Sequence, residues 1–370
     1  EDTPRFDYSG GATCPSLLLE PSRTNLITQS EYFGGYSNNN MTLEANSTNS
    51  PEGVQNAYSV IPTTANDIHR LITFTSITSG VDATISFFAK ANGYNYTFLR
   101  NNITGSYANY FFDLVNQTTS DADAKIEPYG NGWYRCLLTK TTGTTSMGVG
   151  FGISNDGVNV AYTGDGTSGV YFYGTQIEEG SYPTSYIPTY GVSQTRAVDI
   201  CYKTGASDVI GSTTGSGYVE FTTYNHESFG GIFEIINTSD LGQRLLIWIT
   251  STDDQIQLNI GSGIGGSSIP KNNVSIGKHK AVFTYTTSKI KFFLDGEKVG
   301  ETTPTSLTGG FNKVDFYNSQ GTVYIQKKKI SQAVLFPTAL SDLDAEILTG
   351  ATTYNTFAEM ALALNYTVYE

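Results

Sequence analysis

Short runs of alternating apolar and polar residues recur along the chain, and this period of two constrains the fold more than any other feature. Successive side chains of a β-strand point to opposite faces of a sheet, so such alternation indicates strands. Examples are ATISFFA at residues 83–89, YANYFFDL at residues 107–114 and GVYFY at residues 169–173. Gly, Asn or Asp residues bound the runs, and no helical pattern separates them. The sequence therefore predicts antiparallel β-sandwiches or jelly rolls.

The second half repeats this pattern after a stretch rich in Gly, Ser and Thr at residues 202–216. Seven strands are predicted there, at residues 217–221, 231–236, 244–249, 255–260, 280–285, 289–294 and 322–326. Asp295 and Gly296 separate two of these runs, where a two-residue hairpin turn needs positive φ. Ser341 and Thr356 each precede a short amphipathic run and are predicted to cap helices.

The length of 370 residues suits two domains, each with a core of its own. The expected fold class is all-β, with two antiparallel sandwiches in tandem and a short α-helical C-terminal tail. The expected divisions are a connector at residues 1–15, a first sandwich at 16–200, a linker at 201–216, a second sandwich at 217–340 and the tail at 341–370.

The net charge of −13 opposes binding to polyanions such as nucleic acids and anionic membrane surfaces. No run of about 18 apolar residues, the length that a membrane span needs, is present. Charge and hydropathy therefore predict neither a nucleic-acid partner nor membrane insertion. The basic run at residues 327–329 (KKK) is expected to be a solvated edge that discourages pairing between sheets.

Four segments resemble a domain found widely in phage and prophage tail proteins. They are PRFDYS at residues 4–9, SLLLEPSRTNL at 16–26, GNGWYR at 130–135 and QIEEGSYPTSYIPT at 176–189. Such domains look like carbohydrate-binding-module jelly rolls, so the resemblance implies that fold for the first sandwich.

The second sandwich resembles concanavalin-A-like, laminin-G-type domains through GKH at residues 277–279 and IKFFLDGEKVG at 290–300. Together the two resemblances imply the distal part of a bacteriophage tail or head fibre. Such a component would reside in the virion, form a homotrimer and mediate host attachment by binding a cell-surface glycan. The chain starts at Glu1, and an upstream region is expected to join it to other virion proteins.

Glycan binding uses aromatic rings that stack on sugar C–H faces and polar groups that hydrogen-bond the hydroxyls. One stretch combines both kinds of side chain, and packing between subunits is its alternative role. Trp248 is the candidate in the second sandwich, although its run LIWI at residues 246–249, like GWY around Trp133 at residues 132–134, suits a place in the core better. The candidate glycan-binding residues are Tyr94, Tyr96, Arg100, Asn101, Asn102, Tyr107, Tyr110 and Trp248.

Catalysis is not expected. Glycosidases need two carboxylates about 5–10 Å apart across a cleft. Glu178 and Glu179 are adjacent and should point to opposite faces, and Asp121 and Asp123 lie in a polar turn. No motif of a nucleophile, zinc or dinucleotide site is present, and no cofactor is required. A calcium ion braced by loop carboxylates is a speculative addition, with Asp156, Asp165, Asp253 and Asp254 as ligands, while plain turns explain these residues better.

Two other functions fit the same sequence. One is a purely structural fibre or capsid-decoration protein. The other is a carbohydrate-binding module attached to a secreted bacterial glycan-degrading enzyme.

Overall fold

The computed structural model describes residues 4–7, 15–225, 229–251, 253–317, 326–352, 354 and 356–364. The chain divides into two compact units. We call residues 22–197 sandwich A, and residues 1–21 with 198–370 sandwich B. The described secondary structure is almost entirely β, as the alternation predicted.

The strands of the first half follow the predicted alternating runs closely. They are β1 Phe6–Asp7, β2 Ser16–Leu19, β3 Arg23–Asn25, β4 Ser37–Asn39, β5 Met41–Asn49, β6 Gln55–Pro62, β7 Asn66–Ile68, β8 Arg70–Ser76, β9 Asp82–Asn92, β10 Tyr96–Asn101, β11 Ala108–Asp113, β12 Thr118–Thr119, β13 Ala124–Pro128, β14 Tyr134–Thr141, β15 Ser146–Ser154, β16 Ala161–Thr163, β17 Gly169–Glu179 and β18 Gln194–Arg196.

The elements of the second half are eleven strands followed by two helices, all within the described residues. They are β19 Tyr202–Thr204, β20 Gly215–Thr223, β21 Gly230–Asn237, β22 Asp240–Thr250, β23 Gln255–Ile260, β24 Ser268–Lys271, β25 Lys278–Tyr285, β26 Ile290–Leu294, β27 Glu297–Thr302, β28 Lys313–Asp315, β29 Lys328–Phe336, α1 Asp342–Thr349 and α2 Phe357–Ala363. Six of the seven strands predicted here are present. The seventh, at residues 322–326, lies mostly outside the described residues.

Sandwich A is a jelly roll of two six-stranded antiparallel sheets. The first sheet has the order β12-β11-β10-β15-β8-β4, and the second has the order β13-β14-β9-β17-β6-β5. Their facing sides enclose one apolar core. Phe151 of the first sheet stacks on Phe87 of the second at 5.5 Å between ring centroids and lies 4.7 Å from Phe172. Trp133 is buried, as its place in a short apolar motif predicted.

Sandwich B also contains two antiparallel sheets. One is seven-stranded with the order β1-β2-β29-β20-β25-β26-β27, and the other is six-stranded with the order β19-β28-β21-β22-β23-β24. The predicted hairpin turn is present, because Asp295 and Gly296 have φ of 50° and 88° and Leu294 pairs with Glu297. A bulge-free pairing of β25 with both β20 and β26 places the core residues of these strands on one face.

The helices cover the outer face of the seven-stranded sheet rather than forming a free tail. Tyr218, Val282 and Phe293 point away from the core on that face, and apolar residues of α1 and α2 bury them. Ser341 accepts a hydrogen bond from the Asp344 N–H, as the predicted N-cap requires. Among the described residues, neither helix has the length and apolar composition needed to cross a membrane.

The structure differs from the predicted divisions at two places. Residues 16–19 belong to sandwich B, because β2 pairs with β29. The stretch expected to be a linker, residues 201–216, contains β19 and the start of β20, and it buries Ala206 and Ile210 in the core of sandwich B. Its small residues allow close packing, which a composition rich in Gly and Ser does not distinguish from flexibility.

The basic run is not a solvated edge. Lys328 opens β29, an interior strand of the seven-stranded sheet, and is 1% exposed. Lys329 lies 2.5 Å from an Asp7 carboxylate oxygen, and Lys327 lies over the ring of Tyr224. Carboxylates and rings of neighbouring segments therefore take the place of the expected solvent.

Candidate functional site

Three glycines at a spacing of two lie on the outer side of the first sheet of sandwich A. Gly148, Gly150 and Gly152 alternate along β15 with Met147, Val149 and Phe151, which enter the core. Glycine in a strand interior often marks a place where a ligand or another group approaches the backbone closely. We call this outer surface, with the outward side chains of β8 and β10 and with Tyr107, the glycine face.

The strands on either side of β15 supply the side chains of the glycine face. Gly150 pairs with Arg100 of β10 on one side and with Ile72 of β8 on the other. Gly152 pairs with Arg70 of β8 and also with Phe98, whose ring lies over that glycine. Between two rows of larger side chains lies a narrow strip, which we call the trough, and the three glycines that form its floor are buried.

Two aromatic rings stand at one end of the trough. Tyr107 is 45% exposed and Phe74 is 62% exposed. Both reach over Gly148, where an added Cβ would lie 2.3 Å from the Tyr107 hydroxyl oxygen and 3.0 Å from Phe74 Cε1. The absence of a side chain at Gly148 is therefore what allows the hydroxyl end of Tyr107 to approach the strand closely.

The arginines beside the rings are oriented by neighbouring amides. The Arg100 guanidinium lies 5.0 Å from the Tyr107 ring centroid, and its Nη1 donates to Asn109 Oδ1 at 2.9 Å. Arg70 Nε donates to Asn39 Oδ1 at 3.3 Å. Burial lowers the pKa of Arg70, and the like charge of Arg100 lowers it further.

The structure divides the predicted glycan-binding residues between two sides of the sheet. Arg100, Asn102, Tyr107 and Tyr96 lie on the outer side. The Asn102 amide spans to β15, since it accepts from the Gly148 N–H and donates to the Ser146 carbonyl. The Tyr96 hydroxyl hydrogen-bonds Asp113, and its ring packs on Gly157. Tyr96 and Asn102 thus border the glycine face.

The other predicted residues of this stretch face inward. Asn101 is fully buried, Tyr110 is buried in the core, and Tyr94 packs against that core with its ring 5.7 Å from Tyr162. Asn101 and Tyr110 alternate with the outward positions of β10 and β11, so they are not available to a ligand. Tyr94 precedes β10 and is half-buried. Trp248 is half-buried on β22 of sandwich B and lies 5.4 Å from Phe229, between ring centroids. Its assignment to glycan binding stays a prediction.

Arg70, Phe74 and Asn109 belong to the glycine face and were missed from the sequence. The signal that could have found this surface is the alternation of glycines in MGVGFGI at residues 147–153. It marks one whole face of a strand as free of side chains. It does not reveal which strands flank β15.

The proposed calcium ligands serve as turn residues in the described structure. Asp156 accepts from the N–H groups of Val158 and Asn159, and these bonds hold its pKa at about 2. Asp165 accepts from two backbone N–H groups in the same manner. Asp253 and Asp254 have positive φ, and their carbonyls accept from residues 273 and 274. The described residues contain no group of three His, Cys, Asp or Glu side chains that could hold a metal. Calcium stays a prediction.

The carboxylates considered for catalysis are engaged in structural contacts. Lys140 bonds Asp123 at 2.7 Å and Asp121 at 3.3 Å. Glu178 is fully buried, where it accepts from the Thr184 N–H and hydroxyl, while Glu179 accepts from the Thr78 N–H. The last two point to opposite sides of β17, as their adjacency predicted.

A further carboxyl pair lies across two strands of sandwich B. Asp315 of β28 pairs in register with Glu234 of β21, and both are fully buried. Burial, followed by the charge of Glu234 and a hydrogen bond to it, raises the pKa of Asp315 to about 8. A hydrogen-bonded pair is closer than the separation of about 5–9.5 Å in glycosidases, and burial denies it a substrate. The absence of catalysis stays a prediction.

No family model matches the chain, and no curated protein matches it. Solved structures that resemble it include a CBM40 domain of the Ruminococcus gnavus IT-sialidase bound to α2,3 sialyllactose. That match has 16% identity, covers 39% of this chain and 86% of that one, and has a TM-score of 0.34.

Two longer matches have lower scores. Domains LG4-5 of the mouse laminin α1 chain match with 10% identity, 75% and 90% coverage of this chain and that one, and a TM-score of 0.26. The GH43 protein BlXynB of Bacillus licheniformis matches with 12% identity, 81% and 75% coverage, and a TM-score of 0.27. All three TM-scores are low, so these matches support no statement about the function of the chain.

Proposed function

We propose that the chain is a non-catalytic glycan-binding protein whose binding surface is the glycine face of sandwich A. The observation that carries the proposal is the pair of exposed rings, Tyr107 and Phe74. They lie beside Arg100, above the face of β15 that carries only glycines. Exposed aromatic residues on a sheet lose contact with water when a sugar ring stacks on them. The glycines beneath are buried, so the exposed rings and not the sheet itself would contact that sugar.

The polar groups around the trough suit the rest of a sugar ring. Arg100, Arg70 and Asn109 present donors and acceptors at its borders, and Asn39 fixes the position of Arg70. A small number of placed polar groups around an apolar platform is the usual composition of a small-molecule site. The acids considered above for catalysis and for calcium are used in turns, ion pairs and backbone hydrogen bonds, which fits binding without hydrolysis.

A glycan array with matched variants tests this proposal. The double variant Tyr107→Ala/Phe74→Ala should lose array binding by more than about tenfold, because each stacked ring contributes about 1 kcal/mol. Tyr190→Ala is the matched control, since Tyr190 is an exposed tyrosine outside the glycine face and bonds Glu31. Binding that survives the double variant, or an array without any bound glycan, would refute the proposal.

We propose further that the protein is a virion fibre component that mediates host attachment. Support comes from the resemblance carried by residues 4–9, 16–26, 130–135 and 176–189. Residues of these segments shape the fold: Asn25 bonds the carbonyls of Thr175 and Ile187, and Arg135 bonds the Thr184 carbonyl. The resemblance therefore supports the architecture more strongly than it supports a receptor.

A homotrimer in the virion and an upstream junction to other virion proteins belong to the same proposal. Light scattering on residues 1–370 should give three times the chain mass of 40.1 kDa. Purified protein should compete with phage for adsorption to host cells. Glycan binding without competition would favour the alternative, a module of a glycan-degrading enzyme. Neither binding nor competition would favour a purely structural fibre or decoration protein.

A further inference from the structure

The two arginines of the glycine face differ from three other arginines in lacking an acidic partner among the described residues. They share this lack with the buried Arg135, which donates to the Thr184 carbonyl and the Ser86 hydroxyl. Arg5, Arg23 and Arg244 each lie within 4 Å of a carboxylate. Over the ranges that the structure describes, neither Arg70 nor Arg100 has a carboxylate within that distance. Asp67 acts on Arg70 only from farther away. Two unpaired cations on one surface are conspicuous in a chain of net charge −13.

Their mutual position makes the lack of a partner costly. Arg100 and Arg70 flank β15 on opposite sides, two residues apart in register, since they pair with Gly150 and Gly152. Neighbouring strands are about 4.8 Å apart, so their Cα atoms lie on the order of 10 Å apart, within reach of two long side chains. Like charges at such a distance repel each other, and an anion between them would relieve the repulsion.

The guanidinium of Arg100 also has unused hydrogen-bonding capacity. Its Nη1 is held by Asn109, while its Nη2 has no hydrogen-bond partner among the described residues. Arginine binds carboxylates through two parallel N–H groups, and this geometry needs an oriented guanidinium. Tyr107 and Asn109 provide that orientation, and Gly150 places no side chain between the two arginines.

We propose that the glycine face binds a carboxylate-bearing glycan, with the carboxylate held between Arg70 and Arg100 and a sugar ring stacked on Tyr107. This inference rests on the proposed function, because it specifies the ligand of the same surface. A polyanion such as a nucleic acid is disfavoured by the charge of the whole chain. A single carboxylate beside a stacked ring meets only the local positive charge.

The test compares carboxylated glycans with their carboxyl-reduced counterparts on one array, together with sulfated glycans. Wild-type protein should bind the carboxylated member of a pair at least about tenfold more strongly, the difference expected for a charge-assisted bidentate contact. Arg100→Gln and Arg70→Gln should each bring that ratio to within about twofold. Arg100→Lys keeps the charge without the fork and should retain an intermediate ratio.

Lys125→Gln is the matched control, because it removes one positive charge from an exposed position on β13 of the opposite sheet. It should leave the ratio unchanged, and circular dichroism should show that all variants are folded. Equal binding of both members of each pair, a ratio that survives both arginine variants, or binding of sulfated glycans alone would overturn the inference. If neutral glycans bind through Tyr107 without preference for a carboxylate, the proposed function stands and this inference fails. If nothing binds, both fail.

Discussion

The Arg100 guanidinium lies over the ring of Tyr107, 5.0 Å from its centroid, and the hydroxyl of the same tyrosine reaches Gly148 on the neighbouring strand. Tyr107 thus contacts both the oriented Arg100 guanidinium and the glycine strand β15. The arrangement depends on the glycine as much as on the two larger side chains. It makes the glycine face a surface whose parts can be tested separately.

Gly148→Ala is expected to weaken glycan binding while the fold is retained. The new methyl group would meet the ends of Tyr107 and Phe74, which are flexible side chains that can rotate away. Gly148 is buried, but only these movable side-chain ends oppose the methyl group, so the free energy of unfolding should change by about 1 kcal/mol or less. Affinity should fall about tenfold, since Tyr107 no longer lies in stacking position. Urea unfolding and glycan titration measure the two quantities.

Gly150→Ala provides the contrast, because its methyl group would lie 2.6 Å from the Leu71 carbonyl oxygen. Backbone atoms cannot rotate away, so this variant should lose about 1–3 kcal/mol of stability. If Gly148→Ala destabilised the protein as much as Gly150→Ala does, Tyr107 would be a structural residue and not part of a binding surface.

The sequence predicted the strands well and the site only in part, for one physical reason. A period of two is a local property, so β9, β11 and β17 could be located from their own residues. The pairing of β15 with β8 and β10 is set by packing over distances of 50 to 80 residues in the chain. Arg70 and Phe74 could not be joined to Tyr107 without that register. The alternation also shows why Asn101 and Tyr110 had to be separated from Arg100 and Tyr107.

Ser341→Ala should destabilise sandwich B by about 1 kcal/mol through loss of the helix cap. The Ser341 hydroxyl accepts from the Asp344 N–H at 3.1 Å, and α1 covers apolar residues of the seven-stranded sheet. Ser207→Ala, at an exposed position outside the helices, is the control and should leave stability within about 0.5 kcal/mol of wild type. Denaturant unfolding of wild type and both variants measures these differences in the free energy of unfolding. Equal effects of the two variants would mean that α1 does not need its cap.

His279 and Asp295 should make stability depend on pH in the neutral range. His279 Nδ1 lies 2.7 Å from Asp295 Oδ2, and Nε2 lies 2.8 Å from the Ser275 carbonyl oxygen. Burial acts to lower the pKa of His279, but the carboxylate and the carbonyl outweigh it and raise the pKa above 6.5. The stabilisation is therefore complete below pH 6.5 and is lost as pH rises through the folded-state pKa.

Asp295→Asn should remove most of this dependence, because asparagine tolerates the positive φ of the turn but carries no charge. Urea unfolding of wild type and variant at pH 6 and pH 9 measures the difference. Asp208→Asn, an exposed position in the same sandwich, controls for net charge. A difference between wild type and Asp295→Asn that stays the same at both pH values would contradict the ion pair.

Lys328→Met should stabilise sandwich B at pH 6 and lose that advantage at high pH. Lys328 is buried in the seven-stranded sheet, and its Nζ has no hydrogen-bond partner within the described part of the chain. Burial lowers its pKa to about 7, and the charges of Asp315 and Asp199 only partly oppose this. Between pH 7 and about 10.5 the unfolded chain binds a proton that the folded chain does not, so wild-type stability rises with pH there.

Methionine fills a similar volume without a charge, so the variant lacks that rise. At pH 6 it should be more stable than wild type by about 1 kcal/mol or more, in line with other replacements of buried ionic groups. Lys203→Met, at an exposed position on β19, is the control and should follow the wild-type curve. A wild-type stability that does not rise above pH 7 relative to Lys328→Met would show that the Lys328 ammonium is compensated in the folded protein.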